Sequence, residues 1–368
     1  MGNKKIISTI FILIGSIFYI FPANIQLPFR IALLLWINSL VLRRLNRKDF
    51  YKAILIFLFT VIYTIYSCLH ESFHTSLIMV ILSIFPLVLF NNLNVSDTIF
   101  KNKTIQGPYY LWLISILIQI CIYDYHGRPN LSYEINQSAS YLLLLYIFSD
   151  VIGKRIGKII IALLSLLFLS RMLILGIILV EVLKRVKYFL TPIKKGLNYT
   201  MIVIFANIAT ILFSSFFLIR MVVDNDVEID GVERIGTFTD GSNFARFKTN
   251  MLIIQALTTD KDPVLFRTGY GDLGSNNVYK DNYTIMPHNE LLKAIGQFGI
   301  WFALFCFIII RKNYGAIISY DSIEYFVPIL LCSLFLWVRF CIVPSLEMFF
   351  IWLILKQVSN EKNSNNYI

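Results

Sequence analysis

Long apolar runs separated by short basic clusters decide what this chain can fold into. The run 53–90 would form a helix about 57 Å long at 1.5 Å per residue, whereas about 20 residues are enough to cross roughly 30 Å of hydrocarbon. Polar side chains lie at its middle, in the segment 69–75 (LHESFHT). We therefore predict two spans with a turn between them.

The run 156–183 carries a basic cluster at each end, at 154–158 and at 184–195. Because cytoplasmic loops are enriched in lysine and arginine, a single span would put one of these clusters on the wrong side of the membrane. We predict instead two shorter helices that meet at Ser170-Arg171 on the outer side. The same reasoning splits the last apolar run at 339–345.

Applied along the whole chain, this reasoning predicts an all-α fold, a single transmembrane domain of residues 1–368 with about twelve spans and both termini cytoplasmic. Apolar side chains make up 57 %, charged ones 15 %, and the mean hydropathy is +0.69, which excludes a soluble domain. The basic N-terminus is typical of a signal sequence, but the many later spans favour an uncleaved first span. The predicted spans are 6–21, 29–42, 53–69, 75–91, 108–123, 138–152, 157–170, 171–184, 197–219, 291–310, 317–338 and 344–356.

Charge and cysteine placement exclude two further classes. The net charge of +11 comes from clusters between apolar runs, as orientation in a bilayer requires, so we expect no nucleic-acid partner. The five cysteines are scattered through apolar runs without CxxC spacing, so we expect neither a disulfide framework nor a thiolate metal site.

One long polar segment, the outer loop of residues 220–290, lies between two predicted spans. Within it, residues 244–257 have apolar side chains near every third or fourth position, which predicts an amphipathic helix on the outer membrane surface or on the spans. Pro263, Gly269 and Gly271 follow and are typical of an irregular loop. Since nearly everything else is apolar helix, we expect the chemistry in this loop and at its ends.

Two patterns are compatible with a metal site, and each has a simpler explanation. Residues 70–74 (HESFH) match the H-E-x-x-H zinc motif, yet they fall where the chain must turn, and no third ligand is evident. Asp224 and Asp226 could hold a divalent cation through carboxylate oxygens, but a solvated acidic strand explains them as well. We expect no metal and no cofactor.

Arginines gather at the outer ends of the predicted spans. Arg171 ends a short helix inside an apolar hairpin, where a charge is costly without a polar partner; snorkelling to the headgroups is the alternative. Arg220, Arg234, Arg246 and Arg267 belong to the outer loop. Guanidinium groups bind phosphate bidentately and keep their charge in a dry site, so their convergence would suit a diphosphate ligand.

His288 stands where the outer loop enters a span, directly after Pro287 and before Asn289 and Glu290. A neutral histidine at that place could deprotonate a hydroxyl near neutral pH. Glu290 is a candidate for orienting its imidazole.

Taken together, these residues resemble the O-antigen ligase and polymerase superfamily of bacterial envelope proteins. The similarity lies in a serine-arginine element, an outer-loop helix with an arginine, a proline-glycine turn, and a histidine-asparagine motif leading into a span. These elements stand at Ser170-Arg171, at Arg246, at Asp262-Pro263 with Gly269-Tyr270-Gly271, and at Pro287 to Leu291 with Gly296 and Gly299-Ile300. The motifs cover roughly residues 163–310, and the span pattern covers the whole chain.

The resemblance implies a GT-C-like glycosyltransferase of the bacterial inner membrane, with a periplasmic active site, an undecaprenyl-diphosphate-linked donor and no metal. The implied residues are His288 as general base, Glu290 as its support, and, on the diphosphate, Arg171, Arg246, Arg220 and Arg267. Because diphosphate is a good leaving group, charge stabilisation and one base are sufficient. A single displacement would invert the anomeric centre.

Three functions stay open at this point. We expect an O-antigen polymerase, which transfers the glycan to the non-reducing end of another lipid-linked repeat. A ligase would use the same donor with lipid A core as acceptor, and no motif here separates the two. A lipid-linked glycan flippase is the remoter alternative, because transporters place polar groups at the bilayer midplane. The expected partners are the lipid-linked donor and acceptor, membrane lipids and, as a candidate, a chain-length regulator protein.

Overall fold

The computed structural model describes residues 3–43, 46–70, 75–90, 103–122, 135–186, 199–223, 241–271, 287, 289–314, 322–335 and 340–365. Within these ranges the regular structure is helical, and no strand occurs. The helices are α1 (Asn3–Tyr19), α2 (Ala23–Leu42), α3 (Arg47–Leu69), α4 (Thr75–Phe90), α5 (Lys103–Ile122), α6 (Ile135–Val151), α7 (Arg155–Leu167), α8 (Arg171–Val186), α9 (Tyr199–Val223), α10 (Gly241–Thr258), α11 (Pro263–Phe266), α12 (Glu290–Tyr314), α13 (Ile323–Phe335) and α14 (Leu346–Asn365).

Several helices have the length and composition of membrane spans. In the described part of the chain, α1, α4 and α13 are apolar but shorter than a full span, and five helices are long and apolar enough to cross: Ala23–Leu42, Asp49–Leu69, Thr104–Ile122, Tyr199–Phe216 and Glu290–Lys312. Together these features are those of an all-α membrane protein, as predicted. Each predicted span overlaps one helix of the structure. The crossing of all twelve and their orientation stay predictions.

The run 156–183 folds as the predicted pair of helices, with α8 beginning at Arg171. Lys158 near the start of α7 and Lys184 near the end of α8 both bind the carboxylate of Asp150, each with an Nζ–O distance of 2.6 Å. Because one carboxylate binds both lysines, the start of α7 and the end of α8 lie at the same end of the bundle. A single continuous span is therefore excluded.

The same carboxylate fixes the direction of α13. The hydroxyl of Tyr325, near the start of α13, donates to Asp150 with an O–O distance of 2.7 Å. Since Lys184 near the end of α8 binds Asp150 as well, α8 and α13 run antiparallel along their mutual contact. The start of α8 and the end of α13 therefore lie at the same end of the bundle, opposite Asp150.

The helix α14 lies at the centre of the bundle. Every residue from 346 to 355 is buried, and α14 packs against α1 and α6. The ring of Phe350 stacks on that of Phe11 with a centroid distance of 4.5 Å. A helix that is apolar all round is one that other helices enclose, and over its first ten residues α14 meets that description except at Glu347.

Candidate functional site

The helix α12 is interrupted at Gly299, whose φ of 75° and ψ of 162° fall in a region that essentially only glycine adopts. The interruption opens helix carbonyls to donors from outside the helix. Tyr270 N–H donates to the carbonyl of Gly296 at 2.7 Å, and Gly271 N–H donates to that of Gln297 at 3.1 Å. Irregular backbone inside a span is tolerated where protein buries it. The outer loop thus completes the backbone hydrogen bonding of a broken helix.

We call residues 267–271 and 296–299 the loop–helix junction. A Cβ atom on Gly269 would lie 2.6 Å from the carbonyl carbon of Gln297, and one on Gly299 would lie 2.4 Å from the carbonyl oxygen of Arg267. Both glycines also have a positive φ, of 68° and 75°. The two glycine motifs singled out in the sequence are therefore in direct backbone contact.

Side chains from three elements hold the junction. Asp262 caps α11 by accepting the N–H two residues later at 2.9 Å, and its carboxylate also accepts the hydroxyl of Tyr270. From α3, the hydroxyl of Tyr63 faces the carbonyl of Thr268, at 3.2 Å, and that of Phe298. Tyr63 therefore binds one carbonyl on each side of the junction.

A polar stripe on α12 leads from its first turn to the junction. Asn289, Lys293 and Gln297 recur every four residues, so they share one face, and all three are buried. Asn289 caps the helix by accepting two N–H groups of the first turn at 2.9 and 3.1 Å, and its amide donates to Asn207 Oδ1 of α9 at 3.1 Å. On α10, Asn250 is buried too, and its Oδ1 has no hydrogen-bond partner among the described residues. A row of buried polar side chains on α12 therefore ends at the junction.

Glu290, expected to support His288, binds backbone groups. Its buried carboxylate accepts N–H groups from the four successive residues 340–343, with shortest N–O distances of 3.2, 2.9, 2.8 and 2.8 Å. An ionised carboxylate has about four lone-pair sites, so these donors use most of its capacity. Glu290 joins the start of α12 to the segment between α13 and α14, and its support of His288 stays a prediction.

Two of the predicted arginines have described surroundings. Arg171 is half-buried at the first residue of α8, directly after the buried Ser170. It lies at the end of the bundle opposite Asp150, where α8 begins. Arg267 is exposed at the C-terminal end of α11, within the junction. The structure thus brings Arg267 to the junction.

The segment 244–257, predicted as an amphipathic helix, is helical and lies within α10; its amphipathic character stays a prediction. It packs on the spans, with the ring of Phe247 against that of Phe213 on α9 at a centroid distance of 6.0 Å. Arg246 lies near the start of α10 and Arg220 near the end of α9. The side chains of these two arginines lie outside the described parts of the structure.

Several predicted residues lie outside the described ranges, His288 among them; its two neighbours in the chain are both buried. Arg234, Asp224 and Asp226 are outside as well, together with residues 71–74 of the zinc-like pattern. His70 is described and ends α3 as an exposed residue. Over the described ranges, no three histidine, cysteine, aspartate or glutamate residues are grouped as metal ligands.

Sequence reasoning missed a second buried polar group. Arg30 of α2 binds Glu347 of α14 with an N–O distance of 2.8 Å. The hydroxyl of Tyr141 on α6 accepts from Arg30 at 2.8 Å and from Gln137 at 2.9 Å, and it donates to Glu347 at 2.6 Å. This ion pair, with Tyr141 hydrogen-bonded to both partners, joins α2, α6 and α14.

Comparisons with known proteins add no relative. No protein-family model matches the chain, and neither a curated protein nor a solved structure does.

Proposed function

We propose that this protein is an O-antigen polymerase of the bacterial inner membrane. It transfers an undecaprenyl-diphosphate-linked oligosaccharide to the non-reducing end of a second lipid-linked repeat at the periplasmic face. The observation that carries the proposal is the loop–helix junction. Two motifs on which the resemblance rests, 269–271 and 296–299, are hydrogen-bonded to each other there.

The junction supports the proposal because it brings an arginine of the outer loop to the helix that His288 precedes. Arg267 is exposed at the junction, and α12 begins two residues after His288. We propose that Arg171, at the start of α8, faces the same pocket as Arg267. Guanidinium groups can bind a diphosphate bidentately without losing their charge. We propose that these arginines and His288 meet in one pocket, which supplies charge for the leaving diphosphate and a base for the acceptor.

The proposed reaction is a single displacement. His288 takes the proton of the acceptor hydroxyl, whose oxygen forms a bond to the anomeric carbon as the bond to the diphosphate oxygen breaks. Arg171 and Arg246, with Arg220 and Arg267, stabilise the charge that develops on the leaving undecaprenyl diphosphate. The anomeric centre is inverted, and neither a metal nor a cofactor takes part.

A lipid-linked glycan flippase is the second candidate, and the structure contains two observations in its favour. The break in α12 is buried, and the pair Arg30–Glu347 puts opposite charges inside the bundle. Discontinuous helices and intramembrane charges are typical of transporters. In the predicted topology Arg30 and Glu347 lie near the outer ends of the spans 29–42 and 344–356, so the expectation that charges gather at the outer face stays a prediction.

One experiment separates these functions. Purified protein in detergent micelles is incubated with undecaprenyl-diphosphate repeat units alone, and the glycans are sized. A polymerase lengthens the repeats, a ligase needs added lipid A core, and a flippase does neither in the absence of a sealed compartment. Long chains that form only with lipid A core, or not at all, would contradict the polymerase proposal.

The role of His288 is tested in the same assay. Since general-base catalysis contributes about 10²–10⁴-fold to rate, His288→Ala should lower the rate of lengthening by at least about 100-fold. The matched control is His70→Ala, which changes an exposed histidine at the end of α3 and should leave the rate unchanged. Equal rates for the two variants would remove His288 from the mechanism.

A further inference from the structure

A cavity of about 320 Å³ opens between α2, α3 and α4. Its size falls within the range of ligand pockets, which is about 300–1,000 Å³. The wall is almost entirely hydrocarbon, and its lining includes Val41, Leu42, Phe50, Ile54, Phe57 and Phe85. Such a cavity suits an alkyl chain.

The polar side chain in the lining is already satisfied. The amide nitrogen of Asn38 donates to the carbonyl of Leu34 at 2.8 Å and to that of Leu82 on α4 at 2.9 Å. Its two N–H groups therefore join α2 to α4 and are not available to an occupant. The interior of the cavity therefore favours an apolar group of the right shape and offers no free amide N–H to a polar headgroup.

The rim of the cavity is basic. Arg47, Phe50, Ile54 and Phe57 recur every three or four residues along α3, so Arg47 continues the lining stripe by one turn beyond the cavity. Arg43 follows the lining residue Leu42 at the end of α2, and both arginines are exposed.

The nearby acidic group does not cancel this charge. Asp49 is buried and forms an ion pair with Lys52 at 3.1 Å. Its backbone N–H is capped by Asn46 at 2.9 Å. Arg43 and Arg47 therefore leave the rim net positive, next to an apolar slot.

We propose that this groove binds an anionic phospholipid, with one acyl chain between α2, α3 and α4 and its phosphate on Arg43 and Arg47. Hydrocarbon burial holds the chain, and the two guanidinium groups select the charge of the headgroup. The site is independent of the proposed glycan transfer.

The groove does not suit the reacting diphosphate of a polyprenyl donor. Arg47 and Tyr63 are about 24 Å apart along α3, at 1.5 Å per residue, and Tyr63 contacts the loop–helix junction. A diphosphate held at the junction would lie nearly a membrane thickness away from the rim of the groove. A resident lipid of the opposite leaflet fits this separation.

The test is native mass spectrometry of the purified full chain, mixed with phosphatidylglycerol or phosphatidylcholine that carry the same acyl chains. We expect the protein to retain one molecule of phosphatidylglycerol, and the retained fraction to be about tenfold higher than for phosphatidylcholine, because two guanidinium groups attract the anionic headgroup. Arg43→Gln with Arg47→Gln should abolish that preference. Arg155→Gln with Arg311→Gln changes two other exposed arginines at helix ends and should preserve it.

A second variant tests the slot itself. Ile54→Trp fills the cavity while leaving the arginines in place, so it should lower the retention of both lipids, with helicity and gel-filtration profile as controls for folding. Equal retention of the two lipids by the unchanged protein would overturn the proposal. So would a preference that survives the double arginine change, or displacement of the bound phosphatidylglycerol when undecaprenyl diphosphate is added to the same mixture.

Discussion

Replacing Gly299 by alanine tests how firmly the outer loop is held by α12. The backbone conformation at Gly299 costs an L-residue about 1–3 kcal/mol. The new Cβ would lie 2.4 Å from the carbonyl oxygen of Arg267, against at least 3.4 Å for an ordinary contact, so the loop must shift by about 1 Å. That shift would weaken the hydrogen bonds donated by Tyr270 and Gly271, worth about 1 kcal/mol each. We expect a loss of about 3–5 kcal/mol in the free energy of unfolding, as the sum of these contributions.

Two other glycines provide matched controls. Gly153 has a positive φ of 71° and no atom within 4 Å of an added Cβ, so Gly153→Ala measures backbone strain without a clash. Gly107 has open space as well, and no positive φ, so Gly107→Ala should leave stability nearly unchanged or raise it slightly. The measurement is equilibrium unfolding in mixed micelles, combined with protease cleavage of the outer loop. If Gly299→Ala unfolds like Gly107→Ala, the loop is not held by α12 as described.

Three further predictions concern other contacts. Arg30→Met should lower the free energy of unfolding by about 3–5 kcal/mol, because it leaves Glu347 buried without its cation. Arg30→Met combined with Glu347→Leu should lower it by less than either single change does. Additive effects in a double-mutant cycle of unfolding would contradict this. Tyr63→Phe removes the hydroxyl between two buried carbonyls, so we expect the free energy of unfolding to fall by about 1–3 kcal/mol and protease to cleave the outer loop faster. An unchanged cleavage rate would contradict the role of Tyr63 at the junction. Cys68 and Cys121 are exposed near the ends of α3 and α5. The charge pattern predicts that these helix ends lie outside, so a membrane-impermeant maleimide should label both cysteines in spheroplasts. Labelling only after lysis would show that the predicted orientation is reversed.

The helices could be predicted well from sequence, for a physical reason. Each long apolar run predicts one or two membrane-spanning helices, and lysine and arginine residues indicate which loops lie on the same side of the membrane. That is why the turn at Ser170-Arg171 could be predicted from charge alone, although the run around it is long enough for one tilted span. The structure supplies what charge could not, namely the carboxylate of Asp150 that both lysines bind.

The candidate site was only partly predictable. Gly269 and Gly299 stood out as residues, but their contact depends on a break in a helix, and a periodic apolar pattern continues across such a break. The partners of Glu290 are backbone N–H groups of residues 340–343, and every sequence carries those groups, so no side-chain signal pointed to them.

The enclosed position of α14 has a consequence for how the protein is made. The helices that surround it, α1 and α6 among them, come earlier in the chain, so the ribosome completes them first. Before residues 346–355 are synthesised, lipid or loosely packed helices must fill the space that α14 occupies. During that time Arg30 lacks the carboxylate of Glu347. The enclosed helix is therefore the last to be inserted. A stop codon before α14 would remove this enclosed helix while leaving the preceding helices in the chain.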